Sequence, residues 1–164
     1  MRCRPQHVAR CRPAVSGSDI GALIRAYRIH NLQGSLAELE FFRRMRSVRD
    51  AIHHAALAID GRGKRFSHQR RIPASALVKA ESLLADSTRW LKRCSAFHEL
   101  HTFLARLFEP VHGLGELYVY DTALRLGSFL NLRPEYVYIH AGTRSGARAR
   151  LRQIGKLLGG THAA

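Results

Sequence analysis

Acidic side chains are scarce in this chain. Its 164 residues carry 12 Asp and Glu against 27 Lys and Arg, a formal net charge of +15. Such a balance points to a polyanionic partner, either nucleic acid or an anionic membrane surface. Lysine is scarce too, 4 against 23 arginines. A GC-rich genome can exchange Lys for Arg but does not by itself remove acids, so the acid deficit is the more telling half. Cysteine is limited to Cys3, Cys11 and Cys94, which make no disulfide framework and fit a reducing compartment. Cys3, His7 and Cys11 show a C-x3-H-x3-C spacing without a fourth zinc ligand, inside a short Arg-Cys-Arg-Pro repeat, so no metal is expected. Long apolar runs are missing, and no apolar segment follows Arg2, Arg4, Arg10 and Arg12. Neither a membrane span nor a signal peptide is therefore expected, and the location expected is cytoplasmic. No Walker loop, Rossmann fingerprint or Gly-x-Ser-x-Gly elbow occurs. Nucleotide hydrolysis, serine-esterase chemistry and a small-molecule cofactor are not expected.

Strand-like alternation is also lacking, so the fold expected is all-α, a bundle of about six helices. Residues 1–17 are basic, Pro-punctuated and aperiodic, and read as disordered. A single helical domain over 18–160 follows. Asp19 is placed to cap a first helix to about Asn31, carrying Ile20, Leu23, Ile24 and Tyr27 and broken by Gly34. Ser35-Leu36-Ala37-Glu38 has the capping-box pattern and predicts a long helix to about Asp60, with Phe41, Met45, Val48, Ile52, Ala55 and Ile59 as its stripe. Residues 61–72 form a loop with five basic residues and no acid, mobile unless an anion orders it. Pro73 opens a helix with Leu77, Ala80, Leu84, Ser87 and Leu91 at helical spacing and Trp90 beside them. Ser95 is placed to cap the next helix, with Phe97, Leu100, Leu104 and Leu107, which Pro110 stops. A helix from Glu116 to about Leu130 and a last one from Arg144 to about Leu158 complete the 73–158 core.

Four features bear on function. The turn Val111-His112-Gly113-Leu114-Gly115 opens an apolar helix bearing Leu117, Ala123 and Leu124. Over about 25 to 40 residues it resembles the hairpin of helix-hairpin-helix DNA-binding domains. That resemblance implies a turn whose Gly113 and Gly115 let backbone amides approach a DNA phosphate without reading sequence. Glu116 departs from the pattern, since a carboxylate in the first turn repels phosphate. The alternative is an ordinary packing joint between two helices. In the glycosylases of that superfamily a catalytic Asp follows the hairpin. The matching stretch, 136–143, has no Asp, and no lysine nucleophile occurs between Lys92 and Lys156.

The second feature is a ridge of Arg144, Arg148, Arg152 and Lys156, which recur every four residues with no acid after Glu135. Like charges at that spacing call for an external anion, and guanidinium groups suit phosphates. The third is a patch of Tyr118, Tyr120, Asp121, Arg125, Tyr136, Tyr138, His140, Thr143 and Arg144. Asp121 pairs most simply with Arg125, four residues on. If there is an activity, Asp121 and His140 are its acid and base. The fourth is His98 with His101, whose spacing is not that of zinc proteases, so surface histidines are expected. The function these features imply is binding of nucleic acid, duplex DNA first, through Gly113, Gly115, Arg125, Thr143, Arg144, Arg148, Arg152 and Lys156. The loop residues Lys64, Arg65, Arg70 and Arg71 join them. The alternatives are a glycosylase-like or nuclease-like DNA-processing enzyme and a basic accessory that docks an acidic protein.

Overall fold

The computed structural model describes residues 19–136, 138, 144–149 and 152. The fold is all-α, and among the described residues no strand forms beyond a single antiparallel bridge between Ile59 and Arg65. The chain divides into two compact units, 1–36 and 37–164.

In the first unit α1 spans Asp19–Tyr27 and is followed by a wider π turn, Arg28–Leu32; α2, Gln33–Arg43, starts in this unit and has most of its residues in the second. The break expected at Gly34 is absent. One glycine costs a helix about 1 kcal/mol, too little to interrupt a path supported on both sides. The capping box is not used either, because Ser35 lies inside α2 and the Glu38 carboxylate turns to Arg125.

The second unit holds the core. The long helix expected over 35–60 is two helices, α2 and α3, Val48–Leu57. The apolar stripe runs across their junction without a change of period, so it hides the break. Ser47 makes the break, accepting from the amides of Arg49 and Asp50 at 3.1 and 3.4 Å, a cap worth about 1 kcal/mol. The helix that opens at Pro73 is likewise divided at Ser87 into α4, Ala74–Asp86, and α5, Thr88–Leu91. The α6 helix, Phe97–Phe108, begins two residues after Ser95, with Ala96 and not Ser95 as its N-cap. There the Glu99 carboxylate accepts from Ser95 N, Ser95 Oγ and Ala96 N.

The last long helix, α7, covers Glu116–Leu130 and ends on Asn131 in the left-handed region, φ 58°. Small side chains, Ala51, Ala55, Ala56, Ala80 and Ala123, are buried where α3, α4 and α7 pack together, and they permit close approach. Phe42, Leu77, Leu84, Leu91, Phe97, Leu100, Leu104, Phe108 and Leu126 fill the rest of the core. Residues 144–149 are helical, and the remainder of the expected 144–158 helix, Arg152 apart, lies outside the described residues.

Candidate functional site

The 61–72 segment is not the mobile loop its composition predicts. Helix α3 ends on Ala58 in the left-handed region, φ 54°. The chain then folds on itself, with Asp60 N bonded to Lys64 O at 2.9 Å. The Asp60 carboxylate accepts from the amides of Arg62 and Lys64, each at 2.9 Å, which holds its pKa below the usual aspartate range. Gly61 fits under Phe41 so closely that a Cβ would stand 2.8 Å from the ring.

A buried polar chain fixes the other end of the segment to α7. Gln69, 1% exposed, donates its amide to Asp121 Oδ2 at 2.7 Å and accepts from Arg125 Nη1 at 2.9 Å. Arg125 also donates through Nε to Glu38 Oε1 at 2.7 Å, and its guanidinium lies 4.2 Å from the centre of the Phe66 ring. His68 Nε2 meets Asp121 Oδ2 at 2.9 Å from the surface side. Burial is the main cause that pushes the Asp121 carboxyl above its ordinary pKa, and the Arg125 and His68 charges oppose it. The simple Asp121–Arg125 pair expected from their spacing is thus a bridge with Gln69 between them.

These contacts correct one expected phosphate ligand. Arg125 is 1% exposed and has three protein partners, so it belongs to the interior. Arg65 is half-buried and donates to Ile72 O at 3.2 Å. The outward residues of the segment are Arg62, Lys64, Arg70 and Arg71, all exposed, and none of them forms a salt bridge among the described residues. Arg70 Nε donates to Ser67 O at 3.1 Å, which orients its guanidinium. Ser67, His68, Arg70 and Arg71 line a cavity of about 500 Å³.

The hairpin meets the chain differently. Leu114 N bonds to Val111 O, and Gly113 takes φ +94° with its Cα against Pro73, where a Cβ would come within 3.3 Å of Cδ. Gly115 is the N-cap of α7 and offers no side chain to cap it, and both glycines are exposed. Glu116 accepts from Arg144 Nη2 at 2.8 Å, so the carboxylate at the corner and the first arginine of the ridge share one ion pair. Arg148 and Arg152 are exposed and helical. Thr143, His140 and Lys156 lie outside the described residues, as does any pairing of His140 with Asp121. The partners Asp121 does show are His68 and Gln69.

At about 100° per residue, Asp121 and Arg125 stand about 140° around α7 from Glu116 and Tyr120. The basic segment and the ridge therefore reach α7 on different sides. The expected patch divides with them. Tyr118 is buried and donates to Ala56 O at 2.8 Å. Tyr120 and Tyr138 cluster with Phe97 and His101, and the two tyrosines and His101 line a cavity of about 390 Å³. His101 packs 4.5 Å from Tyr138, ring centre to ring centre, and burial lowers its pKa. It is half-buried, whereas His98 is on the surface as expected, near the exposed Tyr136.

Sequence reasoning missed Glu38, Phe66, His68 and Gln69. Phe66 was the available signal, since one large apolar residue in a basic loop needs a place to pack. No known family model, curated protein or solved structure matches this chain. Among the described residues no helix is long and apolar enough to cross a membrane.

Proposed function

We propose that the protein binds nucleic acid through the phosphate backbone, using the outward arginines and lysine of the 62–71 segment as its principal contact. One observation carries this reading: seven of the twelve acids are engaged by the fold, whereas the basic side chains of this segment's outer face form no salt bridge among the described residues. Glu38 serves Arg125, Glu40 serves Arg43 and Arg44, and Glu81 serves His53. Glu99 and Asp60 hold backbone amides, Glu116 serves Arg144, and Asp121 serves Gln69 and His68. Arg62, Lys64, Arg70 and Arg71 stand on a segment fixed from behind, so a strand meets them with little ordering left to do.

The exposed amides at Gly115 and the arginines 148 and 152 supply a second contact region on the other side of α7. The glycine corner supports the likeness to a DNA-binding hairpin through its two exposed glycines at the start of a long helix. Duplex DNA is the ligand to test first.

The test is salt dependence. About four phosphate contacts give an affinity for a labelled duplex that falls about 100-fold between roughly 50 and 200 mM salt. Affinity that does not change across that range, or no binding at low salt, removes the proposal. Recovery of a stoichiometric acidic protein in place of nucleic acid favours the accessory reading.

A further inference from the structure

The cavities of the second unit differ in their walls. The one beside His101 and Tyr120 is lined largely by apolar side chains, as is the one beneath Pro73 and Pro110. The cavity of Ser67, His68, Arg70 and Arg71 has no apolar side chain in its lining. We propose that this cavity seats a terminal phosphate of a nucleic-acid strand, a phosphomonoester rather than an internal diester. The proposal rests on the nucleic-acid reading above and names the part of the strand that this segment takes.

The charges select the monoester. An internal diester carries one negative charge and two unbridged oxygens. A monoester carries nearly two charges at neutral pH and three strong acceptor oxygens. Arg70 and Arg71 bring two positive charges to one cavity. The Nε of Arg70 is already bonded to the Ser67 carbonyl, which turns its two terminal nitrogens into a fork for two oxygens. Arg71 and the Ser67 hydroxyl supply donors for the third. His68 presents Nε2 to Asp121, so a hydrogen bond from its Nδ1 to a phosphate oxygen requires the imidazolium form of the ring. The Asp121 carboxylate, which meets the lining residue His68, is also bonded by Gln69 and lies near the buried Arg125 charge, so its repulsion of an anion is reduced.

Rigidity supports the same reading. Ser67, His68 and Gln69 form a short helical turn, and the Gln69 amide holds that turn against α7. The four lining residues therefore leave a fixed base rather than a free loop. A site fixed in advance favours the ligand that matches its charge and donor number. The exposed Arg62 and Lys64 of the same segment continue the positive surface for the adjoining nucleotides.

The experiment compares three labelled strands of one sequence at one low salt concentration: unphosphorylated, 5′-phosphorylated and 3′-phosphorylated. One phosphorylated strand is expected to bind about tenfold tighter than the unphosphorylated strand, the scale of an added charge-assisted contact. The double variant Arg70→Ala/Arg71→Ala, both exposed positions, is expected to keep its helical circular dichroism and lose that preference. Equal affinity for all three strands overturns the inference and leaves the backbone reading standing. No binding of any strand at low salt, alone or annealed into a duplex, overturns both. A preference that survives in the double variant places the phosphate elsewhere and also overturns it, as does tighter binding of a phosphoserine peptide than of either phosphorylated strand.

Discussion

The 61–72 segment and the 111–116 corner are both glycine-containing turns beside basic residues, and they are held in opposite ways. The first is tied to α7 by a buried chain from Glu38 through Arg125 and Gln69 to Asp121. The second rests on backbone turns, the Pro73 contact and a surface pair between Glu116 and Arg144. A buried polar chain is costly when it loses a member, while an exposed ion pair contributes little. Position in the fold, not charge density, thus separates a cation that builds the protein from one that can meet a ligand. Arg125 and Arg70 are the same residue type a short distance apart in space and serve those two ends.

The widest test of that contrast is Arg125→Ala. It leaves the half-buried Glu38 without its cation and the buried Gln69 oxygen without its donor, and a loss of about 2–3 kcal/mol in urea denaturation is expected. A loss under about 1 kcal/mol would show that the buried chain does not hold the segment. Next comes Glu116→Gln, which removes an anion from the hairpin corner and its ion pair with Arg144. Duplex affinity should rise several-fold at low salt while stability moves by less than about 0.5 kcal/mol. If affinity does not change, the corner takes no part in binding.

The smallest effect is on pH dependence. The Asp121 carboxyl titrates above the ordinary 3.8 because burial disfavours its charge. As pH falls through its folded value toward 3.8, the folded state binds a proton that the unfolded chain does not yet hold. This group alone therefore favours folding as acid is added across that window. Glu99 acts with the opposite sign: its amide bonds lower its pKa, and its contribution is lost as pH falls. Carbon-13 NMR titration of the two carboxyls measures both directions, and an Asp121 value below 3.8 contradicts the first.

The helices with clear punctuation were legible in the sequence. Gly115 before Glu116 and Asn131 ahead of Pro134 gave α7 its observed limits. The stripes at Leu77, Ala80 and Leu84, and at Phe97, Leu100 and Leu104, fall in the core. The α2–α3 break stayed hidden because Met45 and Val48 keep the helical period across it, and only the Ser47 cap marks it. The site was half legible. Exposed arginines announce themselves by charge, but a buried amide such as Gln69 has no period and no charge, and its two partners are 52 and 56 residues away. Arg125 was misplaced for the same reason, since its interior partners, Glu38 and Gln69, come from distant parts of the chain.

An amide has two ends of unlike polarity, and at position 69 both are in use. A glutamate there would satisfy the guanidinium and push against the aspartate, while a lysine would do the reverse. The shape is that of glutamine because one neighbour asks for a hydrogen and the other offers one. The inner edge of the turn is therefore closed to either charge, while the side chains on its outer edge remain open to exchange.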